Sequence, residues 1–477
     1  MKKLKLYNSL SNALEDFIPI DPQNVRMYSC GPTVYASPHI GNARPLVVFD
    51  ILYRVLNCLY DNRVTYVRNI TDVDDKINAR AKSENISIGA LTSAVTAEFH
   101  KNLKLLNVLP VSHEPRATDH IDEMLSLLEK LMANGFAYEA EGHVLFRVKK
   151  MPQYGMLSKR SVDDMIAGSR VEVAAYKEDP MDFVLWKPSE EGDPAWNSKY
   201  GLGRPGWHIE CSAMSHKYLG EQFDIHTGGQ DLMFPHHENE LAQNFGAFGC
   251  IMANYWLHNG MLLVNNQKMS KSLGNIISMD DILKKYDGEV IRYVLLSSHY
   301  QKILNWTDQS VNQALQALDR LYGALNMANS ANVTDVTNDV NAGRRSLFMT
   351  DSPVLDALCA NLNTPLALKH LHDLADRIYK SSDATEIDQL NGLLRREAEI
   401  LGLLQKNCRD WFQHNPAELN ENELDENEIN RLISLREKAK SEKNFQQADE
   451  IRAKLLDHNI KIEDTKDGTI WKLLRSK

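Results

Sequence analysis

Two groups of residues in this 477-residue sequence have types and spacings that could do chemistry. The first combines sulfur, imidazole and carboxylate: Cys30 in YSCGPTVY, Cys211 in GWHIECSAM, and His236 with Glu240 in PHHENE. A His and a Glu four apart on a helix project from one face, so both can reach a single ion. Two thiolates, an imidazole and a carboxylate form a donor set suited to zinc, although without the spacing of a zinc finger. The competing reading is that buried cysteines merely fill space and that the His-rich turn is a surface feature. Spacing alone leaves both open. The second group lies in PTVYASPHIGN (32–42) and KMSKS (268–272). His39 stands at a helix entrance, where free backbone N–H groups and the positive dipole end favour phosphate. Gly41 would let a nucleotide lie close to the backbone. Lys268 and Lys271 are charges of the kind that hold a departing pyrophosphate. Taken singly, HIGN also reads as an ordinary helix cap and KMSKS as a solvated basic loop.

The elements that must position these residues follow from hydrophobic periodicity. VRMYSC (25–30) reads as a strand, LVVFDILYRVLNCLY (46–60) as a helix, and VTYVRNI (64–70) as a second strand. Strand, helix and strand joined this closely predict an α/β fold with a parallel, doubly wound sheet. There is no G-x-G-x-x-G after the first strand and no G-x-x-x-x-G-K-[ST] anywhere, which disfavours a standard dinucleotide site and a P-loop. Residues 112–205 break the rhythm with one helix (119–134) and a polar Gly/Pro-punctuated run, and read as an insertion. The sheet resumes at FDIHTGG (223–229), followed by a helix opened by Pro235. Ser278, Asp280 and Asp281 mark another helix start after KMSKS. From 307 to 405 apolar residues recur every three to four positions, as in a packed bundle. A helical pair (427–458) and a strand-like end close the chain.

Bulk properties exclude several classes. Hydrophobic content of 43% with 25% charged residues is that of a globular protein. MKKLKLYNSLSNALEDF is not followed by a continuous apolar stretch and is no secretory signal. No window approaches about eighteen uninterrupted apolar residues, so no membrane span is expected. Six cysteines without a framework spacing fit a reducing, cytoplasmic setting. A net charge of -10 argues against coating nucleic acid by overall charge, but not against a local basic surface. Residues 418–428 hold six acids and no base, and residues 431–477 hold twelve Lys or Arg against eight Asp or Glu. This reads as an acidic hinge before a mildly basic tail.

HIGN and KMSKS, in this order across a split α/β domain, resemble the two signatures of the class I aminoacyl-tRNA synthetases, HIGH and KMSKS. Asn42 departs from the first, standing where the signature has histidine. It can donate a hydrogen bond to a phosphate or ring oxygen but carries no charge. YSCGPTVY, NITDVDDKI, GWHIECSAM, DLMFPHHENELAQ and KMSKSLGN, in this order, resemble the cysteinyl-tRNA synthetase family over nearly the whole chain, and so does NFQQADEIRAKL in the tail.

The resemblance implies a Rossmann-like catalytic domain in two halves (1–111 and 206–266) around an inserted connective domain (112–205). It further implies a KMSKS loop and stem-contact region (267–306), a helical bundle that binds tRNA (307–410) and a small C-terminal anticodon-binding domain (411–477). Cys30, Cys211, His236 and Glu240 match the family's zinc ligands, one ion per chain. The ion is implied to select the substrate as a thiolate, with no separate editing site. That logic is physical, because cysteine and serine differ by one atom and a plain pocket separates such near-isosteres weakly. Gly31, Thr71, Trp207, His226 and Asp231 match the family's cysteine pocket. Trp207 would wall the side chain, Asp231 hold the ammonium and His226 lie near the carboxylate. Trp207 as core and Asp231 as a helix cap are the plainer alternatives.

His39, Gly41, Asn42, Lys268 and Lys271 match the site for Mg-ATP. The implied substrates are L-cysteine, ATP and tRNA(Cys), the implied state a monomer. A zinc-dependent ligase that joins cysteine to an amino sugar shares both signatures but lacks the long tail, and this chain runs about 200 residues past KMSKS. An idle paralogue is the other rival, against which the intact signature residues speak. In the tail, Arg431, Arg436, Lys438, Lys440 and Lys443 could follow phosphates and Trp471 could stack on a base. A solvated helix face with a hydrophobic plug is the alternative.

Overall fold

Val25–Ser29 and Val64–Arg68 are short runs whose side chains are buried on both faces, as strands inside a parallel sheet must be. In the computed structural model, which describes residues 2–160, 174–270, 273–327, 351–413, 424–465 and 468–473, they form the middle and one edge of a four-stranded parallel sheet. The order is Ala253–Asn259, Phe223–Gly229, Val25–Ser29, Val64–Arg68. From Val25–Ser29 the chain crosses to one side through the helix Ile40–Leu59, and it later returns on the other side. The strand order therefore reverses between Val25–Ser29 and Phe223–Gly229. Ligands of open α/β sheets bind at the carboxyl ends of the strands beside such a point.

The helix expected over 46–60 begins six residues earlier, at Ile40. Pro45 falls inside this helix, whose N-cap is His39, where the Asn42 side chain accepts from the His39 amide at 3.0 Å. The helix expected to open at Pro235 instead begins at Glu238. Phe234 keeps the extended conformation that a following proline favours (φ -139, ψ 130), so residues 233–237 make a wider turn first.

The insertion holds the expected helix, at Ile121–Ala133, but its polar run is not irregular. Trp196–Ser198 and Gly201–Pro205 pair as a hairpin in a five-stranded antiparallel sheet. The helices Asp308–Leu325, Thr364–Lys380 and Ala384–Ile400 bear out the bundle, packing a common core with Ile40–Leu59. The tail is the pair Glu426–Ser441 and Phe445–Asp457 under a hairpin, Ile460–Thr465 with Gly468–Leu473. Among the described residues no helix is long and apolar enough to cross a membrane.

Candidate active site

Cys30 leaves the end of Val25–Ser29, its amide donating to the Thr227 carbonyl of the neighbouring strand at 3.4 Å. Cys211 lies in the helix Trp207–Leu219, His236 in the turn 233–237 and Glu240 in Glu238–Phe248. These four converge. Cys30 Sγ is 3.7 Å from Cys211 Sγ and 3.3 Å from Glu240 Oε1, and His236 Nε2 is 3.1 Å from the same oxygen. Their donor atoms all lie within 4.8 Å of one another. Two sulfurs each about 2.3 Å from a tetrahedral centre stand about 3.8 Å apart, so the thiol pair has the spacing a zinc ion needs.

The electrostatics point the same way. Burial pushes the Cys30 thiol well above its usual range, and Cys211 and Glu240 add to the push. Its hydrogen bond with Cys30 pulls the Cys211 thiol down, but burial and Glu240 together leave it raised. Burial would raise Glu240 too, yet His226 and His236 outweigh it and hold the carboxyl low. Burial lowers His236 to about 3, leaving it neutral. Buried thiols beside a carboxylate give up their protons readily only to a cation. The residues present fit a divalent ion. A second set, Cys30, His226, His237 and Glu240, overlaps the first but has only one thiol. His226 Nε2 binds Glu240 Oε2 at 2.9 Å, behind the oxygen that faces Cys30 and His236.

The remaining sequence candidates surround this cluster at different distances from solvent. Trp207, 39% exposed, stacks on the His236 imidazole at 4.1 Å and 20°, so it is not core. The Gly31 amide donates to Asn69 Oδ1 at 2.8 Å, and a Cβ at Gly31 would sit 1.6 Å from the Asn69 carbonyl oxygen. Only glycine fits there. Thr71 is buried, its hydroxyl donating to Glu210 at 3.0 Å. Asp231 is exposed beyond the end of Phe223–Gly229 and close enough to His39 to act on its charge. His226 is fully buried, stacked on Trp256 at 4.5 Å, with its Nε2 hydrogen-bonded to Glu240 Oε2.

On the nucleotide side, the two signatures are joined through the backbone. The Ile40 amide donates to the Ile277 carbonyl at 3.1 Å, and the Met279 amide to the Pro38 carbonyl at 2.8 Å. The space that Gly41 leaves is filled by the Met269 methyl and the His39 ring, 2.8 and 3.0 Å from where a Cβ would stand. Its lack of a side chain thus serves contact between the signatures. The carbonyl end of Asn42 is occupied by the His39 amide. Burial lowers the His39 imidazole from its ordinary range. Lys268 is exposed, and Asn275 fastens the loop by donating to its carbonyl at 3.2 Å while accepting from the Ser270 amide at 2.9 Å. Lys271 lies outside the described residues. Arg44, fully buried, donates to the carbonyls of Gly260 (2.6 Å), Met261 (2.7 Å) and Lys302 (2.6 Å), tying the His39 helix to the strand that leads into KMSKS.

A family model for the class I (C) tRNA synthetase catalytic domain matches residues 16–316, and a DALR domain model matches residues 354–405. The cysteine-tRNA ligase of Paramagnetospirillum magneticum is 50% identical over 469 residues, 98% of this chain and 99% of that one. That of Beijerinckia indica is 50% identical over 476 residues, 99% of this chain and 100% of that one. The chain belongs to the cysteine-tRNA ligase family. Among solved structures, methionyl-tRNA synthetase of Mycobacterium tuberculosis in complex with methionyl-adenylate superimposes with a TM-score of 0.54 at 14% identity, covering 80% of this chain and 89% of that one. That likeness shows the shared class I fold.

Asn69, His208, His237, His258 and Glu238 also belong to the site's framework. Glu238 accepts from the amides of Gly155 (3.0 Å) and Ser158 (2.8 Å), binding the insertion to the helix of Glu240. His237 and His258 share a hydrogen bond of 2.8 Å behind His226. For His208, His237 and Glu238 the signal available was adjacency within the words GWHIEC and PHHENE; Asn69 and His258 lie in neither.

In the tail the plainer alternative holds at two positions. Trp471 is 6% exposed, packed in the core of the tail with Ile429, Leu432 and Leu455, and is not free to stack on a base. Arg436 is buried and bidentate to Asp464 at 2.7 and 2.9 Å, which Lys440 also contacts. Arg431 pairs with Glu428, Lys438 with Glu442, and Lys443 is exposed.

Proposed function

We propose that this chain activates L-cysteine with Mg-ATP and transfers it to the 3′-terminal ribose of tRNA(Cys), with one zinc ion held by Cys30, Cys211, His236 and Glu240. The observation that carries the reading is the convergence of these four donors, two sulfurs 3.7 Å apart among them, at the carboxyl end of the sheet. When bound, zinc supplies a soft Lewis acid that favours a thiolate over a hydroxyl. Trp207, stacked on His236, walls a small side chain, and the exposed Asp231 takes the ammonium. Gly31 and Thr71 shape the floor between the two strand ends.

The cysteine carboxylate, ionised at neutral pH, attacks the α-phosphate of ATP and needs no general base. His39 and the free N–H groups of its helix meet the phosphates, and Lys268 and Lys271 take the charge that develops on the leaving pyrophosphate. The bundle and tail offer the surface for tRNA, in a cytoplasmic monomer whose thiols stay reduced. Pyrophosphate exchange that depends on cysteine, followed by charging of purified tRNA, tests the sequence of steps. Exchange with serine as fast as with cysteine, or an active protein that lacks zinc, would falsify the selection by metal.

A further inference from the structure

The Nδ1 atoms of His208 and His236 stand 3.0 Å apart. Two ring nitrogens at that distance need one proton between them, so one donates and the other accepts. The second nitrogen of His236, Nε2, faces Glu240 Oε1, the oxygen that also meets Cys30. A metal takes an imidazole through a nitrogen that carries no proton, which leaves the His236 proton on Nδ1. His208 Nδ1 is then its acceptor.

His208 is held for this task from several sides. Its ring meets Phe183 edge-on at 5.5 Å and 77°, and its carbonyl accepts from Gln243 Nε2 at 3.0 Å, on the helix of Glu240. It follows Trp207, which stacks on the face of His236, and precedes Cys211 by three residues. One helical turn thus brings a thiol, a stacking face and a hydrogen-bond acceptor to the same centre.

We propose that His208 is a positioning residue of the metal centre: it accepts the Nδ1 proton of His236 and so fixes which nitrogen, in which orientation, is offered to the ion. The inference deepens the functional reading above and rests on it. Without the acceptor, the His236 ring either leaves a buried N–H unpaired or takes the other tautomer, with its proton aimed at the ion.

The test uses the full-length chain stripped of metal and measures zinc affinity by competition with a chromogenic chelator. His208→Phe keeps a planar ring but has no acceptor, whereas His208→Gln restores a side-chain carbonyl. The expected result is zinc binding about 10–100-fold weaker in His208→Phe. KM for cysteine rises while KM for ATP stays unchanged, and His208→Gln recovers the larger part of the loss. Nitrogen NMR of the zinc-loaded wild-type protein with labelled histidine gives a reading free of any folding defect, with the His236 proton expected on Nδ1. A His236 proton on Nε2, equal losses in the two variants, or wild-type affinity in His208→Phe would each overturn the proposal. Wild-type affinity in the variant is also what an ion seated on Cys30, His226, His237 and Glu240 would give, since that set omits His236. A wild-type chain that binds no zinc removes the functional reading as well, and so is told apart from a failure confined to the variants.

Discussion

Cys211, His236 and Glu240 are each at most 1% exposed, whereas Lys268, at the other end of the same cleft, is an exposed side chain on a two-residue strand. The donors sit on the ends of strands and helices inside a continuous core. The Lys268 strand leads into a loop that Asn275 fastens. The contrast is the one that the two tasks in the proposed function would require. Telling sulfur from oxygen requires donors whose spacing is set before the substrate arrives, because any relaxation would admit the wrong atom. Meeting charge that appears only in the transition state requires a cation free to reach it. Rigidity at one end and reach at the other divide selection from chemistry.

Cys211→Ser should break the first half of the contrast most severely. It removes one of four donors, so zinc content of the purified protein should fall to near zero. Cysteine-dependent pyrophosphate exchange should fall about 10³-fold or more, beyond what loss of a merely supporting residue does. Lys268→Ala and Lys271→Ala address the second half. Each should lower kcat for adenylate formation about 10²–10³-fold, the range seen when one preorganised charge-stabilising donor is removed, while KM for cysteine and zinc content stay unchanged. A proportional rise in KM for cysteine would erase the division of labour.

Removing the tail should leave both ends of the cleft working. The cut belongs after Gln413 and not at 410, because Trp411 stacks on Tyr322 at 4.4 Å and is buried in the bundle core. Exchange should stay at the wild-type rate, while tRNA charging falls about tenfold or more, the effect of about 1.4 kcal/mol of lost contact. Loss of exchange in a folded, truncated protein would mean that the tail shapes the cleft itself.

How legible each region was in the sequence depends on whether its signal is local. Val25–Ser29 and Val64–Arg68 announce themselves as short runs of Val, Met and Tyr, and Thr364–Lys380 by its helical stripe. The hairpin at 196–205 does not, since its strands are short and partly exposed, and Gly201–Pro205 is rich in Gly and Pro. The four donors could be named because their words are distinctive. His208 and His226 could not be assigned their places, because which way an imidazole faces is decided by packing against Phe183 and Trp256. Arg436 and Trp471 stayed ambiguous for the same reason: residue type allowed nucleic acid or a plug, and only the partner Asp464 and the core of the tail decide for the plug.

Asn42 gives the smallest and most discriminating effect. Its Oδ1 accepts from the His39 amide, which makes it part of the helix start that presents His39. If capping is its whole contribution, Asn42→Ala lowers unfolding stability by about 1 kcal/mol and leaves exchange near the wild-type rate. Asn42→Asp keeps an acceptor for the same amide, so it should restore the stability while bringing a negative charge toward the phosphates. The pair therefore separates two roles that wild-type asparagine combines. A rate loss above about tenfold in Asn42→Ala, with stability unchanged, would place its amide nitrogen on the nucleotide. The exposed end of the cleft would then contain a preset polar contact of the same kind as the buried end, and the contrast between them would narrow to the lysines alone.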